Sequence, residues 1–144
     1  MTQVDFYVHV DDKVRTAVRL AAKAYQRGRK LTVFCPDAAT AERFDRTLWT
    51  SPALSFIPHC HAHDAAAPVT PIIIDCTGDG LLNDDILLNL CGERPQHFSR
   101  YQRLIEIVAS DDEDRRLARD RYKFYRDRGY EIRTHDLAQA GGAH

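Results

Sequence analysis

The sequence predicts an α/β protein, and three observations support this class. Strand-like and helix-like segments alternate from the N-terminus, an order typical of a mostly parallel central sheet flanked by helices. The chain has 144 residues, 44% of them apolar, which suits a single domain with its own core. Neither a G-x-x-x-x-G-K-[ST] loop nor a G-x-G-x-x-G turn is present in the sequence. We therefore expect one domain with a Rossmann-like outline that lacks a phosphate-binding loop.

The first half of the chain contains two strand–helix pairs. Its strands are rich in β-branched and aromatic residues, whereas the apolar residues of its helices recur at helical spacing. Aspartate is a common N-cap, and Gly28 suits the C′ position that ends the first helix. The predicted elements are strand Val4–Val10, a helix from Asp11 or Asp12 to about Arg27, strand Lys30–Cys35, and a helix from Pro36 and Asp37 to about Trp49.

The middle of the chain is less regular. Several prolines between residues 50 and 71 predict a long surface segment there. Beyond it, short apolar runs indicate strands that are buried on both faces of a parallel sheet. These strands are predicted at Pro71–Asp75, Asp85–Cys91 and Arg103–Ala109.

A strongly charged helix follows the last of these strands. Ser110 and Glu113 have the spacing of a capping box. Acidic residues fill the first turn, where the helix dipole favours negative charge. The helix body, Arg115–Arg128, is basic, and Gly129 ends it.

The chain closes with a short strand and a tail. Tyr130–Arg133 is predicted as the final strand. The last residues are small and polar, so we expect residues 138–144 to form a flexible tail. The single α/β domain is then predicted to cover residues 1–137.

Composition argues against several classes of protein. Lys and Arg number 20 against 21 Asp and Glu, so bulk positive charge does not favour coating of nucleic acid. No apolar run approaches the roughly 18 residues that span a bilayer, and the N-terminus does not resemble a secretory signal. The four cysteines form no C-x-x-C pair, so we interpret them as reduced thiols of a cytoplasmic protein.

Two places in the sequence contain residue types found in metal or catalytic sites. Asp75 ends an apolar run as a magnesium-binding aspartate does in P-loop enzymes, but without the phosphate loop we interpret it as a strand-end residue. Zinc-ligand types occur at His59, Cys60, His61 and His63, yet neighbouring ligands on an extended segment point to opposite sides. A polar surface segment is the favoured interpretation. We predict no catalytic residue, no metal site and no cofactor.

The last helix carries a basic stripe. At about 100° per residue, four basic residues and one aromatic ring share one face, whereas Leu117 and Phe124 fall opposite and are predicted to face the sheet. A stripe of one sign repels itself, so an anionic partner is expected. A phosphate backbone and an acidic peptide both suit it. The stripe consists of Arg115, Arg119, Tyr122, Lys123 and Arg126.

The segment LWTSPALSFIPH, residues 48–59, is unusually apolar for a predicted loop. Such a segment either packs onto the core or forms an exposed protein-binding patch, and its sequence favours neither alternative. Its large apolar residues are Trp49, Phe56, Ile57 and Pro58.

This segment and LARDRYKFYRDRGY, residues 117–130, together resemble the chi subunit family of bacterial DNA polymerase III holoenzyme. The strand–helix opening and the chain length agree with that family. The resemblance implies a non-catalytic clamp-loader subunit at the bacterial replisome. Its implied partners are the acidic C-terminal tail of single-stranded DNA-binding protein and the psi subunit, which it bridges. A helicase-like repair protein is implied as a competitor for the psi surface, and DNA contact as mainly indirect, with no membrane association.

The resemblance also assigns roles to residues. It places Val108, Arg115, Arg119, Tyr122 and Lys123 in the pocket for the acidic tail, to which the stripe adds Arg126. The psi surface is assigned to Trp49 and Phe56, with Ile57 and Pro58 beside them. The chain departs from the family pattern in residues 60–70, in its C-terminal end, and in having arginine at position 115 where a relative has lysine. Direct binding of single-stranded nucleic acid by the last helix is the alternative function.

Overall fold

The computed structural model of the chain describes residues 1–51, 54, 56–79 and 82–138. Seven strands and three α-helices are formed within these residues. Two short 3-10 turns, at Ala67–Val69 and Phe98–Arg100, complete the secondary structure. The elements are β1 Gln3–Val10, α1 Lys13–Gln26, β2 Leu31–Phe34, α2 Ala38–Thr50, β3 His59–His61, β4 Ile72–Asp75, β5 Ile86–Asn89, β6 Arg103–Ala109, α3 Asp112–Asp127 and β7 Ile132–Asp136.

The strands form one sheet in the order β3-β4-β2-β5-β6-β1-β7. Every pairing is parallel, which confirms the predicted α/β class. Helices α1 and α2 pack on one face and α3 packs on the other, so the sheet separates two apolar clusters. Because all strands run the same way, their carboxyl ends meet at one edge of the sheet. None of the helices in the described ranges is both long and apolar enough to cross a bilayer.

The sequence located most elements but misplaced two edge strands. The segment predicted as a long surface region contains β3, which pairs with β4 from His59 opposite Ile72 to His61 opposite Ile74. The final strand was predicted at Tyr130–Arg133, but its pairing with β1 places it at Ile132–Asp136. Both are short edge strands with polar residues, so their pairing partner determines their bounds and alternation gives little signal.

Aspartates and glycines bound the helices. Asp12 and Asp37 cap α1 and α2 by accepting backbone N–H groups of the first turn. This decides between Asp11 and Asp12, the two alternatives predicted for α1, and agrees with the predicted start of α2 at Pro36 and Asp37. The capping box predicted at Ser110 and Glu113 is wrong. Asp111 is the N-cap of α3, since its carboxylate accepts the Asp114 N–H at 3.1 Å. Gly28 and Gly129 follow α1 and α3 with φ of 72° and 80°, which confirms both predicted helix ends.

Helix α3 is held to the sheet by a buried ion pair. Glu106 on β6 is 0% exposed and Arg121 on α3 is 3% exposed, and Arg121 Nε lies 3.1 Å from Glu106 Oε1. Tyr125 donates its hydroxyl to Glu106 Oε2 at 2.6 Å, and Asn89 Nδ2 donates to Oε1 at 2.9 Å. Burial raises the pKa of the Glu106 carboxyl, and the Arg121 guanidinium opposes that shift. The backbone oxygen of Gly92 accepts from Arg121 Nη1 at 2.5 Å, which ties the loop after β5 to the same helix.

The buried face of α3 therefore differs from the predicted one. Leu117 and Phe124 were predicted to face the sheet, but both are only half-buried. Phe124 lies between the guanidinium groups of Arg94 and Arg128, each 3.6 Å from its ring centroid. Phe124 still packs against the core cluster on this side of the sheet, so the prediction holds in part. The centre of the buried face is displaced toward Arg121, which has a buried partner in Glu106. The residues of α3 that are buried are Ala118, Arg121 and Tyr125.

Replacing Arg121 by methionine should destabilise the fold by about 3–5 kcal/mol, because it leaves the buried Glu106 carboxylate without its counter-charge. The matched control is Arg119→Met on the exposed face of α3, where we expect a change within about 0.5 kcal/mol. Urea unfolding followed by circular dichroism measures both. The combined Glu106→Leu and Arg121→Met variant should be more stable than Arg121→Met alone. Equal unfolding midpoints for the two single variants would contradict a stabilising role for the pair.

Asp85 gives the fold an acid-sensitive contact. Its carboxylate accepts from Arg29 Nε at 2.8 Å and from the Lys30 N–H at 3.0 Å, and the hydrogen bond from Arg29 lowers its pKa. The stabilisation is present above the ordinary aspartate pKa of about 3.9 and is lost as pH falls through the lowered folded value. Asp85→Asn should therefore be less stable than the parent protein at pH 7, with the difference shrinking toward pH 2. Thermal unfolding between those pH values measures this, and Asp84→Asn, at an exposed neighbour, should show no such trend.

Candidate functional site

A groove runs between α3 and the β1–β7 side of the sheet and encloses about 350 Å³. Its floor comes from the strands and its wall from α3. Strand periodicity directs Phe6 and Val8 to the same face, and the β1–β7 register places Thr134 opposite Phe6. The lining residues are Phe6, Val8, His9, Val108, Arg115, Ala118, Arg119, Tyr122 and Thr134.

The floor of the groove is apolar, and Tyr122 forms one end of it. Phe6 and Val108 are buried, so they present a fixed surface and not mobile side chains. The Tyr122 ring packs edge-on against Phe6, with 5.5 Å between ring centroids, but remains exposed. The groove can therefore take an apolar or aromatic group beside the Tyr122 ring.

Two guanidinium groups lie on the rim of this floor. Arg115 makes only a distant contact with Asp112, at 3.9 Å, and no described residue forms an ion pair or side-chain hydrogen bond with Arg119. Both side chains project from the exposed side of α3, four residues apart. Their hydrogen-bond donors are available to a carboxylate or phosphate that lies next to an apolar group in the groove.

The structure brings together four of the six residues predicted for an acidic ligand. Val108, Arg115, Arg119 and Tyr122 line the groove, whereas Lys123 and Arg126 lie on exposed parts of α3 outside it. Arg126 also pairs with Asp127 at 3.1 Å.

Sequence analysis missed the four groove residues on the strands β1 and β7. The alternation of β1 indicates that Phe6 and Val8 share a face. No sequence signal indicates that this face lies beside α3, because that depends on the order of the strands. The missed residues are Phe6, Val8, His9 and Thr134.

A second candidate surface lies near β3, at the other edge of the sheet. The apolar segment was predicted either to pack onto the core or to form an exposed patch, and each alternative holds for some of its residues. Ile57 is buried in the core, whereas Trp49 is 62% exposed and Phe56 is 88% exposed. Pro58 is also exposed, and residues 52, 53 and 55 of the segment lie outside the described residues. Buried Ile57 therefore anchors the segment, whereas the aromatic rings of Trp49 and Phe56 remain at the protein surface.

A buried histidine supports the Trp49 ring. The His59 side chain is 3% exposed, and its Nε2 lies 2.8 Å from Asp45 Oδ1. Its Nδ1 lies 2.8 Å from the Ile57 carbonyl oxygen, and its ring packs edge-on against Trp49 at 5.3 Å. The interpretation of this stretch as a polar surface segment is therefore wrong for His59. No three His, Cys, Asp or Glu side chains in the described ranges are arranged to hold a metal ion.

The remaining candidate residues have structural roles. Asp75 accepts the backbone N–H groups of Thr77 and Gly78, each at 3.0 Å, and so forms the turn after β4. Burial raises the pKa of Cys35 to about 12 and that of Cys91 to about 11. Both thiols therefore stay protonated at neutral pH, which does not suit a nucleophile.

Comparison with known proteins gives one family. Residues 1–133 match the model of the family described as DNA polymerase III chi subunit, HolC. Proteins named DNA polymerase III subunit chi are similar along most of their length. The Pseudomonas aeruginosa protein is 36% identical over 95% of this chain and 98% of its own. The Haemophilus influenzae protein is 31% identical over 92% and 95%, and the Escherichia coli protein is 30% identical over 80% and 79%.

A solved structure is similar in fold alone. The C-terminal domain of S. cerevisiae Dbp5 superposes with a TM-score of 0.57 over 94% of this chain and 90% of that one. The two sequences are 11% identical, so the likeness shows the α/β fold alone.

Proposed function

Because the chain belongs to the DNA polymerase III chi subunit family, and so to the accessory subunits of the replicative polymerase, we propose that it bridges two partners in the clamp-loader complex. One partner is the acidic C-terminal tail of single-stranded DNA-binding protein, and the other is the psi subunit. The protein itself has no catalytic role in this proposal and acts in the bacterial cytoplasm. The observation that best supports this proposal is the groove, which combines an apolar floor with two exposed arginines, Arg115 and Arg119, on its rim.

The groove suits a peptide that ends in an apolar residue with a free carboxylate. Burial of the terminal side chain against Phe6, Val108 and Tyr122 contributes about 1.5–3 kcal/mol. A charge-assisted hydrogen bond from Arg119 or Arg115 to the carboxylate contributes about 1.5–3 kcal/mol more. Ordering a flexible tail offsets part of this gain. An affinity near the micromolar range, about −8 kcal/mol, is then expected with additional contacts.

Those additional contacts are assigned to the outer part of the basic stripe. Lys123 and Arg126 are exposed on α3, one and four residues after Tyr122, and can attract acidic residues that precede the terminal one. Their contribution is screened by salt because both side chains are in solvent.

The aromatic surface near β3 is the proposed psi site. Trp49, Phe56 and Pro58 supply exposed apolar area, and exposed aromatic residues of this kind mark protein interfaces. Ile57 would act from the core by holding the segment in place. A helicase-like repair protein would compete for the same surface.

The positions of the two surfaces support a bridging role. The groove lies beside β7 and the aromatic surface beside β3, and these two strands are the opposite edges of the sheet. Two partners can therefore bind at the same time without overlapping.

Direct binding of single-stranded nucleic acid is the second candidate function. The presence of Tyr122 among the basic residues of α3 favours it, because bases stack on aromatic rings within cationic grooves. Many phosphate contacts would make the affinity fall steeply with salt, whereas a short acidic tail gives a shallower dependence. Oligonucleotide and peptide titrations at 50 and 200 mM salt separate the two functions.

Arg119→Ala and Tyr122→Ala should each weaken binding of an acidic tail peptide at least tenfold, because each removes a groove contact. Fluorescence anisotropy of a labelled peptide that ends in an aromatic residue measures this. Arg116→Ala is the matched control, since Arg116 lies on the same helix, outside the groove, and pairs with Glu113. A second peptide without the terminal residue should bind weakly to all forms. If Arg119→Ala and Arg116→Ala bound alike, the groove would not be the tail site.

Trp49→Ala and Phe56→Ala should abolish psi binding while leaving tail binding unchanged, because the two surfaces lie at opposite sheet edges. Pull-down of purified psi and anisotropy of the tail peptide give the two readouts. Tyr122→Ala is the reciprocal control and should lose the tail but retain psi. Parallel loss of both interactions in a folded Trp49→Ala protein would contradict separate sites.

A further inference from the structure

His9 has an unusual backbone conformation. It lies inside β1, yet its φ is 58°, the sole positive φ of a non-glycine residue in the described part of the chain. The left-handed region is costly for a residue with a Cβ atom, and such conformations concentrate where a protein binds a ligand. The backbone conformation of His9 therefore marks this position as a candidate binding site.

A β-bulge produces this conformation. Tyr7 pairs with Ile107 and Val10 pairs with Ala109, so Val8 and His9 together lie opposite the single residue Val108. Bulges of this kind redirect a side chain near functional sites. Here His9 lies at the rim of the groove, where it lines the same cavity as Val108 and Arg115.

The His9 ring is oriented by a carboxylate. Its Nδ1 lies 2.7 Å from Asp136 Oδ1 on β7, so Nδ1 donates to that oxygen. The same Asp136 oxygen accepts the Ala138 N–H at 3.0 Å, which holds the carboxylate in place. No described residue forms a hydrogen bond with Nε2. The ring is thus fixed at the groove with Nε2 available.

We propose that His9 is a further binding residue of the groove and contacts a carboxylate of the acidic peptide through Nε2–H. This inference rests on the proposed tail-binding function. Since Nδ1 already donates to Asp136, a second donor at Nε2 requires the doubly protonated ring. Peptide binding therefore takes up a proton at His9 and weakens as the pH rises.

The charged groups around His9 set the size of this effect. The charged groups that face its ring are Asp136 on β7, which accepts its Nδ1–H, and Arg115 on α3, which lines the same groove. On its other side, His9 borders a second cleft whose charged residues come from the start of α1 and the turn before it. These residues are Asp11, Asp12, Arg15 and Arg19.

The test is a titration of an N-acetylated acidic peptide ending in an aromatic residue, at pH 6.0 and pH 8.5. The peptide carboxylates are ionised throughout this range. The parent protein should bind several-fold more weakly at pH 8.5. His9→Asn keeps a residue that tolerates the left-handed conformation but cannot become cationic, so it should bind weakly at both values. His63→Asn, at an exposed histidine near β3, is the matched control and should behave as the parent.

A second variant separates binding from folding. His9→Gly removes the imidazole and its contact with Asp136 but keeps a residue that adopts the left-handed conformation without strain, so its circular dichroism spectrum should match that of the parent while its affinity for the peptide drops. Failure of the parent protein to bind the peptide at either pH would overturn the tail-binding function and this inference with it. Binding by the parent, with equal affinity and equal pH dependence in His9→Asn, would overturn the role of His9 alone.

Discussion

The buried contact between Glu106 and Arg121 determines the position of helix α3, and the groove depends on that position. The wall of the groove is α3 and its floor is formed by β1, β6 and β7, so a rotation of the helix would move Arg119 and Tyr122 away from the floor. Apolar packing alone is non-directional. Two side chains of α3 meet the Glu106 carboxylate together, Arg121 as its ion-pair partner and Tyr125 as a hydrogen-bond donor, and this favours one orientation of the helix. The helix also approaches the loop after β5 closely, since a Cβ atom at Gly92 would lie 3.0 Å from Leu117 Cδ1.

The parallel sheet resembles that of nucleotide-binding folds, but the start of α1 differs from the phosphate site of those folds. In such folds a phosphate binds at the helix N-terminus that follows the first strand. Here the carboxylate of Asp12 occupies that position and accepts the N–H groups of Val14 and Arg15. The donors that a phosphate would use are therefore satisfied by the chain itself, and the added negative charge repels an anion. The proposed anion-binding function uses the outer face of α3 instead, where arginine side chains replace backbone donors.

The two proposed binding surfaces differ in how their side chains are held. The buried part of the groove floor, Phe6 and Val108, belongs to the core, and its strands β1 and β6 each have a neighbouring strand on both sides. The aromatic surface near β3 depends on local contacts, in which buried His59 bridges Asp45 and the Ile57 carbonyl and supports the Trp49 ring. In the proposed function, one surface at each edge of the sheet would let the two partners bind at separate places.

The sequence by itself determined the α/β class and the three helices, because these follow from local periodicity. It also identified Arg115, Arg119 and Tyr122 as one face, since residues four and seven apart on a helix must lie together. Tertiary structure decided the rest. Edge strands β3 and β7 take their bounds from their neighbours, and Arg121 is buried only because Glu106 lies opposite it. Phe6, Val8 and Thr134 join the helix face in one groove because the sheet places β1 between β6 and β7, an order set by long-range pairing that no local pattern encodes.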